Sequence, residues 1–321
     1  MGFGRETTAE AIAKGADLRG RRAVLTGASS GIGAETARAL AMAGANLVLG
    51  VRDVAAGEAV ARSIAPEARG EIRVEPLELS DLGSVLRFAE RIEGPVDLLI
   101  ANAGVSKTPQ THLPNGLDVR FAVNHLGHFL LALKLRAAMA RRGARLVVLS
   151  SAAHKGRPVR LDDLQWTARE HSLAAYGESK SANILFVLEA DRRWRSQGIR
   201  ANAVLPGTAM TGLQRFHGEA LKRQIGFIRP DGSLDPAVKT IGQAAATTLW
   251  AATAPELEGR GGLVLEDCGL AERVGPHTHP WSGFDPTIAD PRAAAGLWRH
   301  SVDLVRQLAG PAALSAEEAG A

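Results

Sequence analysis

Arg22-Ala23-Val24-Leu25-Thr26-Gly27-Ala28-Ser29-Ser30-Gly31-Ile32-Gly33 is the stretch that decides the fold. Its first five residues are a short apolar run suited to a buried strand, and good helix formers fill residues 34–43. Between them the glycines are spaced Gly-x-x-x-Gly-x-Gly. At the junction of a strand and a helix such glycines permit a tight turn, close approach of a pyrophosphate to the backbone, and close helix-to-strand packing. A three-glycine loop by itself is a weak signal, and a tight connection without ligand is the lesser competing reading. Its place directly after the first strand favours dinucleotide binding.

Outward from this turn the alternation repeats. Strands are expected at 46–51, 71–77, 96–101, 145–150, 200–205 and 261–265, and helices at 54–64, 82–92, 116–139, 174–194 and 237–252. The pattern predicts an α/β fold with a doubly wound parallel sheet (a Rossmann fold) of about seven strands in a single domain. The expected organisation is a leader at 1–20, a main α/β domain at 21–270, a C-terminal extension at 271–309 and a flexible tail at 310–321. Two stretches break the rhythm, 152–173 and 208–236. Long irregular segments in compact α/β domains usually serve function, and 208–236 is expected to be a lid over the substrate.

Composition narrows the function classes. Formal charge is only +4 and arginine is scattered without forming a basic run, which argues against a nucleic-acid partner. One cysteine, Cys268, excludes an intramolecular disulfide framework, and no apolar signal region follows a basic N-terminus. No stretch reaches the ~18 uninterrupted apolar residues of a membrane span, so the expected site of action is the cytoplasm. His277 and His279 lack a third ligand in register, and no metal is expected.

Tyr176, the only tyrosine, sits in Tyr176-Gly177-Glu178-Ser179-Lys180. On a helix the phenol and the ammonium share a face. A phenol ionises near pH ~10, and a nearby cation favours phenolate, so Lys180 is placed to make Tyr176 a proton carrier. At the end of the second expected strand stand Val51 and Arg52, where an acidic residue would bind the ribose hydroxyls of NAD. Arginine suits a 2′-phosphate, which predicts NADP(H) in preference to NAD(H); the competing reading is a surface arginine.

With residues 26–33, Ala101-Asn102-Ala103-Gly104, Asn124, Ser150-Ser151 and Tyr176-x-x-x-Lys180 in that order, the chain resembles the short-chain dehydrogenases/reductases over residues 7–308. Phe121-Ala122-Val123-Asn124-His125-Leu126-Gly127-His128-Phe129 and Ser179-Lys180-Ser181-Ala182-Asn183 resemble its branch of retinol-dehydrogenase-like and WW-domain-oxidoreductase-like proteins. The resemblance implies an oxidoreductase in which Tyr176 exchanges a proton with the substrate oxygen and Lys180 holds the nicotinamide ribose and lowers the phenol pKa. Ser151 would hydrogen-bond the same oxygen while Ser150 faces structure, and Asn124 would anchor a water beside Lys180. Cofactor contacts are implied for Gly27, Ser29, Ser30, Gly31, Ile32 and Gly33, for Arg52, Glu78 and Leu79, for Asn102, Ala103 and Gly104, for Tyr176 and Lys180, and for Pro206, Gly207 and Thr208.

Departures from the family pattern are visible. Glu78 replaces the usual aspartate near the adenine, and Ser30 replaces a basic residue that some NADP-preferring members carry in the turn. The segment between Ser151 and Tyr176 is long and contains Leu161-Asp162-Asp163-Leu164-Gln165-Trp166, expected to edge the substrate mouth. Met210, Leu213, Phe216, Leu221 and Phe227 in the expected lid suggest a small apolar or aromatic carbonyl or alcohol as substrate. The resemblance also suggests a homodimer or homotetramer formed through the two long helices. Rival readings are an NADP-binding regulatory or scaffold protein without turnover, and an enzyme like the protochlorophyllide reductases. Sugar-nucleotide epimerases share the Tyr-Lys pair but usually show Gly-x-x-Gly-x-x-Gly, a different spacing.

Overall fold

The structure is a computed structural model that describes residues 2–140, 143–167 and 173–319. Residues 168–172 of the expected 152–173 stretch, residue 1 of the leader and residues 320–321 of the tail lie outside the described residues. In chain order the elements are α1 (Ala9–Ala13), β1 (Arg22–Thr26), α2 (Gly31–Met42), β2 (Asn46–Val51), α3 (Val54–Ile64), β3 (Ile72–Pro76), α4 (Leu82–Glu90) and β4 (Leu98–Ala101). There follow α5 (Val119–Phe121), α6 (Gly127–Ala140), β5 (Arg145–Leu149), α7 (Leu173–Trp194), β6 (Arg200–Leu205), α8 (Glu219–Gln224), α9 (Ile241–Thr253), β7 (Leu263–Glu266), β8 (Gly269–Leu270), α10 (Pro291–Ala309) and α11 (Ala316–Ala319).

The strands form one sheet in the order β3-β2-β1-β4-β5-β6-β7-β8, parallel throughout except for β8. Strand β1 has β2 on one side and β4 on the other, so the order reverses between β1 and β4. A crevice opens there beyond the carboxyl ends of the strands, which is where open α/β sheets bind ligands. The central strands are apolar on both faces because helices cover both: Leu25, Leu49, Ile100 and Val147 face one core cluster, Val24, Leu99, Leu146 and Val148 the other.

The eighth strand was not expected. It closes a hairpin whose two central residues, Asp267 (φ 49) and Cys268 (φ 57), both adopt the left-handed conformation. Such turns usually carry Asn or Gly, and their absence hides this one in the sequence. The helix expected at 116–139 also divides. Gly116 lies in a turn at φ 83, Asp118 caps a short α5, and Ala122–Leu126 winds as a π-helix before α6 begins. Helix α9 starts at Ile241, four residues beyond the expected 237, where Thr240 and Gln243 form a reciprocal capping box.

The leader and the extension are built into the domain. In α1, Ile12 and Ala13 are buried against α2 and α9, and Arg38 of α2 bridges Glu10, Glu35 and Glu67. Helix α10 lies across α7 with Trp298 as its anchor. Its ring stands 5.0 Å from Phe129, 6.1 Å from Phe186 and 5.6 Å from Trp194. Burial of aromatic rings on this scale is worth about 1.5–3 kcal/mol each, enough to make the extension part of the core. Leu164 and Trp166 are buried and Leu161 touches Gly296 of α10, so this insert is wedged beneath the C-terminal helix. Beyond Gly310, where the sequence suggests a frayed end, Ala313 and Leu314 are buried. Lys134 and Arg136 of α6 pair with Glu318 and Glu317, each at 2.7 Å.

Candidate active site

The glycine turn is shaped by contacts that no side chain could share. Gly27 (φ 71) and Gly31 (φ 56) hold left-handed backbone. A Cβ at Gly27 would stand 2.7 Å from Ala103 Cα, and one at Gly33 would stand 2.5 Å from Asn102 Nδ2. Ser30 opens α2 without a side-chain cap, so the first-turn N–H groups and the positive end of the helix dipole are left for a ligand phosphate. Thr26 ties the turn to the next loop. Its Oγ1 accepts from Asn102 N and Ala103 N, both at 3.0 Å, and Asn102 Nδ2 donates to Thr26 O at 2.8 Å.

From this turn an open cavity of ≈ 270 Å³ runs along the strand ends. Its walls contain Gly27, Ser29, Ser30, Gly31, Ile32, Gly33, Arg52, Glu78, Leu79, Asn102, Ala103, Gly104, Tyr176, Lys180 and Pro206. The residue types fit a dinucleotide: a glycine cradle and helix N-terminus for pyrophosphate, and Arg52 at one end. Arg52 Nε lies 3.9 Å from Glu78 Oε2, a loose and exposed pair. Gly207 and Thr208 do not line the cavity. Gly207 (φ 79) abuts the stem of Lys239, and Thr208 O accepts from Lys239 N at 2.7 Å, fixing the base of the lid. The lid adds to the wall Leu213, which the sequence singles out, and Thr211, Gly212 and Arg215, which sequence reasoning missed. A Cβ at Gly31 would stand 3.2 Å from Thr211 Cβ, so the lid rests directly on the glycine turn.

At the other end of the cavity are Tyr176 and Lys180 on α7. Ser151, which follows β5, acts on the phenol by favouring its ionised form but does not itself line the cavity, while Ser150, expected to face structure, does line it and its Oγ donates to Lys180 O at 2.8 Å. Lys180 Nζ is 5.7 Å from the Tyr176 ring centre and donates to Leu149 O at 2.9 Å. Burial dominates the electrostatics of both groups. It pushes the phenol up to about 12 against the opposing pull of Ser151, and the Lys180 ammonium down to about 7. The phenol keeps an open edge on the cavity, and water reaching that edge works against the rise. The sequence-based expectation that Lys180 pulls the phenol below its ordinary value is therefore corrected for the cofactor-free chain. An ammonium that is itself penalised by burial is a weak support for a neighbouring phenolate.

Asn124 lies in the π-helix and not on the cavity wall. Its Oδ1 accepts from Val105 N at 2.8 Å, and its Nδ2 donates to Val105 O and Ser179 Oγ, both at 2.9 Å. A Cβ at Gly104 would stand 3.3 Å from Asn124 Oδ1 and 3.4 Å from Lys180 Nζ, which places both groups close beside Gly104. His125 and His128 flank this turn as buried neutral rings, held down to about 3 and about 4 by burial first. A second cavity of ≈ 270 Å³ begins at Ser106, next to Val105 of the first, and is lined mainly by loop residues together with Leu173 and Leu221.

Among the described residues no His, Cys, Asp and Glu side chains cluster as a metal site, and no helix is long and apolar enough to cross a membrane. The family model of the short chain dehydrogenases matches residues 21–222. A probable oxidoreductase of Streptomyces lividans is 42% identical, with 89% of this chain and 98% of that protein covered. Retinol dehydrogenase 12 of Mus musculus is 39% identical over 78% of this chain and 79% of its own length. The crystal structure of an uncharacterised Mycobacterium paratuberculosis protein superposes with a TM-score of 0.71 at 32% identity, covering 92% of this chain and 97% of that one. A Beutenbergia cavernae structure described as an NAD(P)-dependent gluconate 5-dehydrogenase with bound NADP superposes at 0.62 and 26% identity, covering 78% and 97%. The chain thus belongs to the short-chain dehydrogenase/reductase family, in its retinol-dehydrogenase-like branch, and is an NAD(P)-dependent oxidoreductase.

Proposed function

We propose that this chain is an NADP(H)-dependent enzyme interconverting a carbonyl and an alcohol on a small apolar or aromatic substrate. The observation that carries the reading is the meeting of Tyr176 and Lys180, with Ser151 acting on the phenol from behind the wall, at one end of a cavity whose other end holds Arg52. NADP(H) when bound supplies or accepts the hydride. The chain's own part is the proton and the orientation: Tyr176 Oη gives a proton to the substrate oxygen in reduction and takes it in oxidation, with Ser151 donating a hydrogen bond to the same oxygen. Lys180 Nζ lies beside the phenol to bind the cofactor ribose, and Asn124 supports that end of the site from the π-helix. The ratio of oxidised to reduced cofactor sets the direction.

Arg52 favours the 2′-phosphate of NADP over NAD, since a guanidinium forms paired charge-assisted hydrogen bonds with phosphate oxygens. An apolar substrate agrees with Leu213 on the first cavity and Leu173 and Leu221 on the second. We place the enzyme in the cytoplasm. Assembly into a homodimer or homotetramer must use a surface that α10 leaves free, because α10 covers part of α7. The test is NADPH oxidation with 4-nitrobenzaldehyde by wild type and Tyr176→Phe. Loss of turnover with retained NADPH binding supports the reading, whereas undiminished turnover in Tyr176→Phe would overturn it.

A further inference from the structure

The C-terminal extension touches three segments that surround the site. Trp281 Nε1 donates to Ile225 O at 3.2 Å and its ring stands edge-on to Phe227 at 4.9 Å, which docks it on the lid. Ser301 Oγ bonds His125 Nε2 at 2.9 Å, beside Asn124. Asp285 meets the loop that carries Ser151: its N–H donates to His154 Nε2 at 3.0 Å and its Oδ2 accepts from Gly156 N at 3.0 Å. Lys155 Nζ adds bonds to His279 O at 3.1 Å and Ser282 O at 2.7 Å.

Hydrogen-bond accounting fixes the His154 ring. A backbone N–H can only donate, so Nε2 is an acceptor and carries no proton. The ring proton therefore sits on Nδ1, which donates to Ser151 O at 2.6 Å, and the same oxygen also receives the His154 N–H at 3.0 Å. The side chain is wholly buried, tilted against Phe284 at 5.7 Å, and burial keeps it neutral. A buried histidine is often a satisfied core residue. This one spends both ring nitrogens on joining the peptide of the serine that meets Tyr176 to a strap more than 130 residues further along the chain.

We propose that His154 is a positioning residue, clamping the Ser151 peptide to Asp285 so that the C-terminal extension sets the approach of the Ser151 hydroxyl to the Tyr176 phenol. The inference rests on the reading of Ser151 and Tyr176 given above. Because Tyr176 is the only tyrosine, protein grown with tyrosine labelled with ¹³C at Cζ reports a single phenol resonance without any substrate. The expected result is that His154→Ala moves this resonance in the same direction as Ser151→Ala, and that His154→Asn, which keeps a donor near the Nδ1 position, returns it toward wild type. NADPH affinity should stay within about twofold. With 4-nitrobenzaldehyde and NADPH, kcat should fall by about 10- to 100-fold, the scale expected for small misplacements of reacting groups.

A second pair of variants keeps the test decisive if His154→Ala does not fold. Asp285 has φ −85, a value proline accepts, so Asp285→Pro removes the N–H donor while Asp285→Ala removes only the carboxylate. The clamp predicts a larger shift of the resonance for Asp285→Pro. A His154→Ala resonance at the wild-type position, or identical behaviour of the two Asp285 variants, would overturn the proposal. If wild type fails to reduce the aldehyde, the functional reading is what suffers, and the resonance comparison still judges the clamp.

Discussion

Gly177 packs against Ala153 so closely that a β-carbon at position 177 would collide with the Ala153 carbonyl oxygen and stand 3.3 Å from its carbon. Gly177 follows Tyr176 on α7, and Ala153 lies two residues beyond Ser151, so this contact sets the distance between helix and serine loop. Alanine in place of glycine in an exposed helix normally stabilises by about 1 kcal/mol. Here the obstacle is backbone, which must move, and Gly177→Ala should instead cost about 1–3 kcal/mol. Urea denaturation checks the sign, and turnover should fall with it. A variant as stable and as active as wild type would mean the close approach has no role.

Arg52 is the residue proposed above to favour NADP over NAD. It is mostly exposed and only loosely paired with Glu78, so its removal should leave the fold intact. Arg52→Ala should weaken NADPH binding by about tenfold, equivalent to about 1.4 kcal/mol, and leave NADH binding nearly unchanged. Titration of cofactor fluorescence with both dinucleotides measures this. Equal losses for the two would assign Arg52 to the shared part of the cofactor.

Stability should depend on pH through Lys180. Its pKa falls from 10.5, the ordinary value of a solvated lysine, to about 7 in the fold, so between these values the unfolded chain binds more protons than the folded one. Unfolding free energy must then rise with pH across that window. The opposite sign comes from Cys268, raised by burial from 9.0 to about 11, and from Tyr176, raised from 10.0 to about 12; both erode stability at more alkaline pH. Between pH 7 and 9 the rise from Lys180 is joined by a contribution of the same sign from Lys155, which burial also lowers. Lys180→Met should flatten the slope there and raise stability at pH 7. An unchanged slope in that variant would assign the dependence to other groups.

Much of this architecture is legible in the sequence because local signals agree with the global fold. The strand-turn-helix at residues 22–42 needs no tertiary information, since apolar run, glycine spacing and helix formers all point the same way. Part of the cavity wall follows from that turn and from the residues after β4. Four things stayed hidden, each for a physical reason. The hairpin at Asp267-Cys268 lacks the usual turn residues. The π-helix at Ala122–Leu126 has the composition of an ordinary helix. Electrostatic intuition about Tyr176 and Lys180 omitted desolvation, which acts against charge on both. The contacts of His154 and Trp281 join positions far apart in the chain, and no local pattern encodes them.

Thr26 offers a test of how the glycine turn is held. Its Oγ1 accepts from two backbone donors, Asn102 N and Ala103 N, so its own proton is directed to His128 Nε2, 2.8 Å away. His128 must then carry its proton on Nδ1, which donates to Asn124 O at 3.1 Å and links the end of β1 to the π-helix. Thr26→Val preserves the shape of the side chain but leaves the Ala103 N–H without an acceptor, the Asn102 N–H with only Ile100 O at 3.1 Å, and the imidazole without a donor. Buried groups orphaned in this way cost about 1–3 kcal/mol each, so a total loss of about 2–4 kcal/mol is expected after partial relaxation. Thr26→Ser retains the hydroxyl and should lose little. Cofactor affinity should weaken in Thr26→Val, because Asn102 and Ala103 line the cavity and would shift together. Urea denaturation and NADPH titration on the two variants measure both effects. Equal stability of Thr26→Val and Thr26→Ser would show that the hydroxyl is not what fastens the two loops.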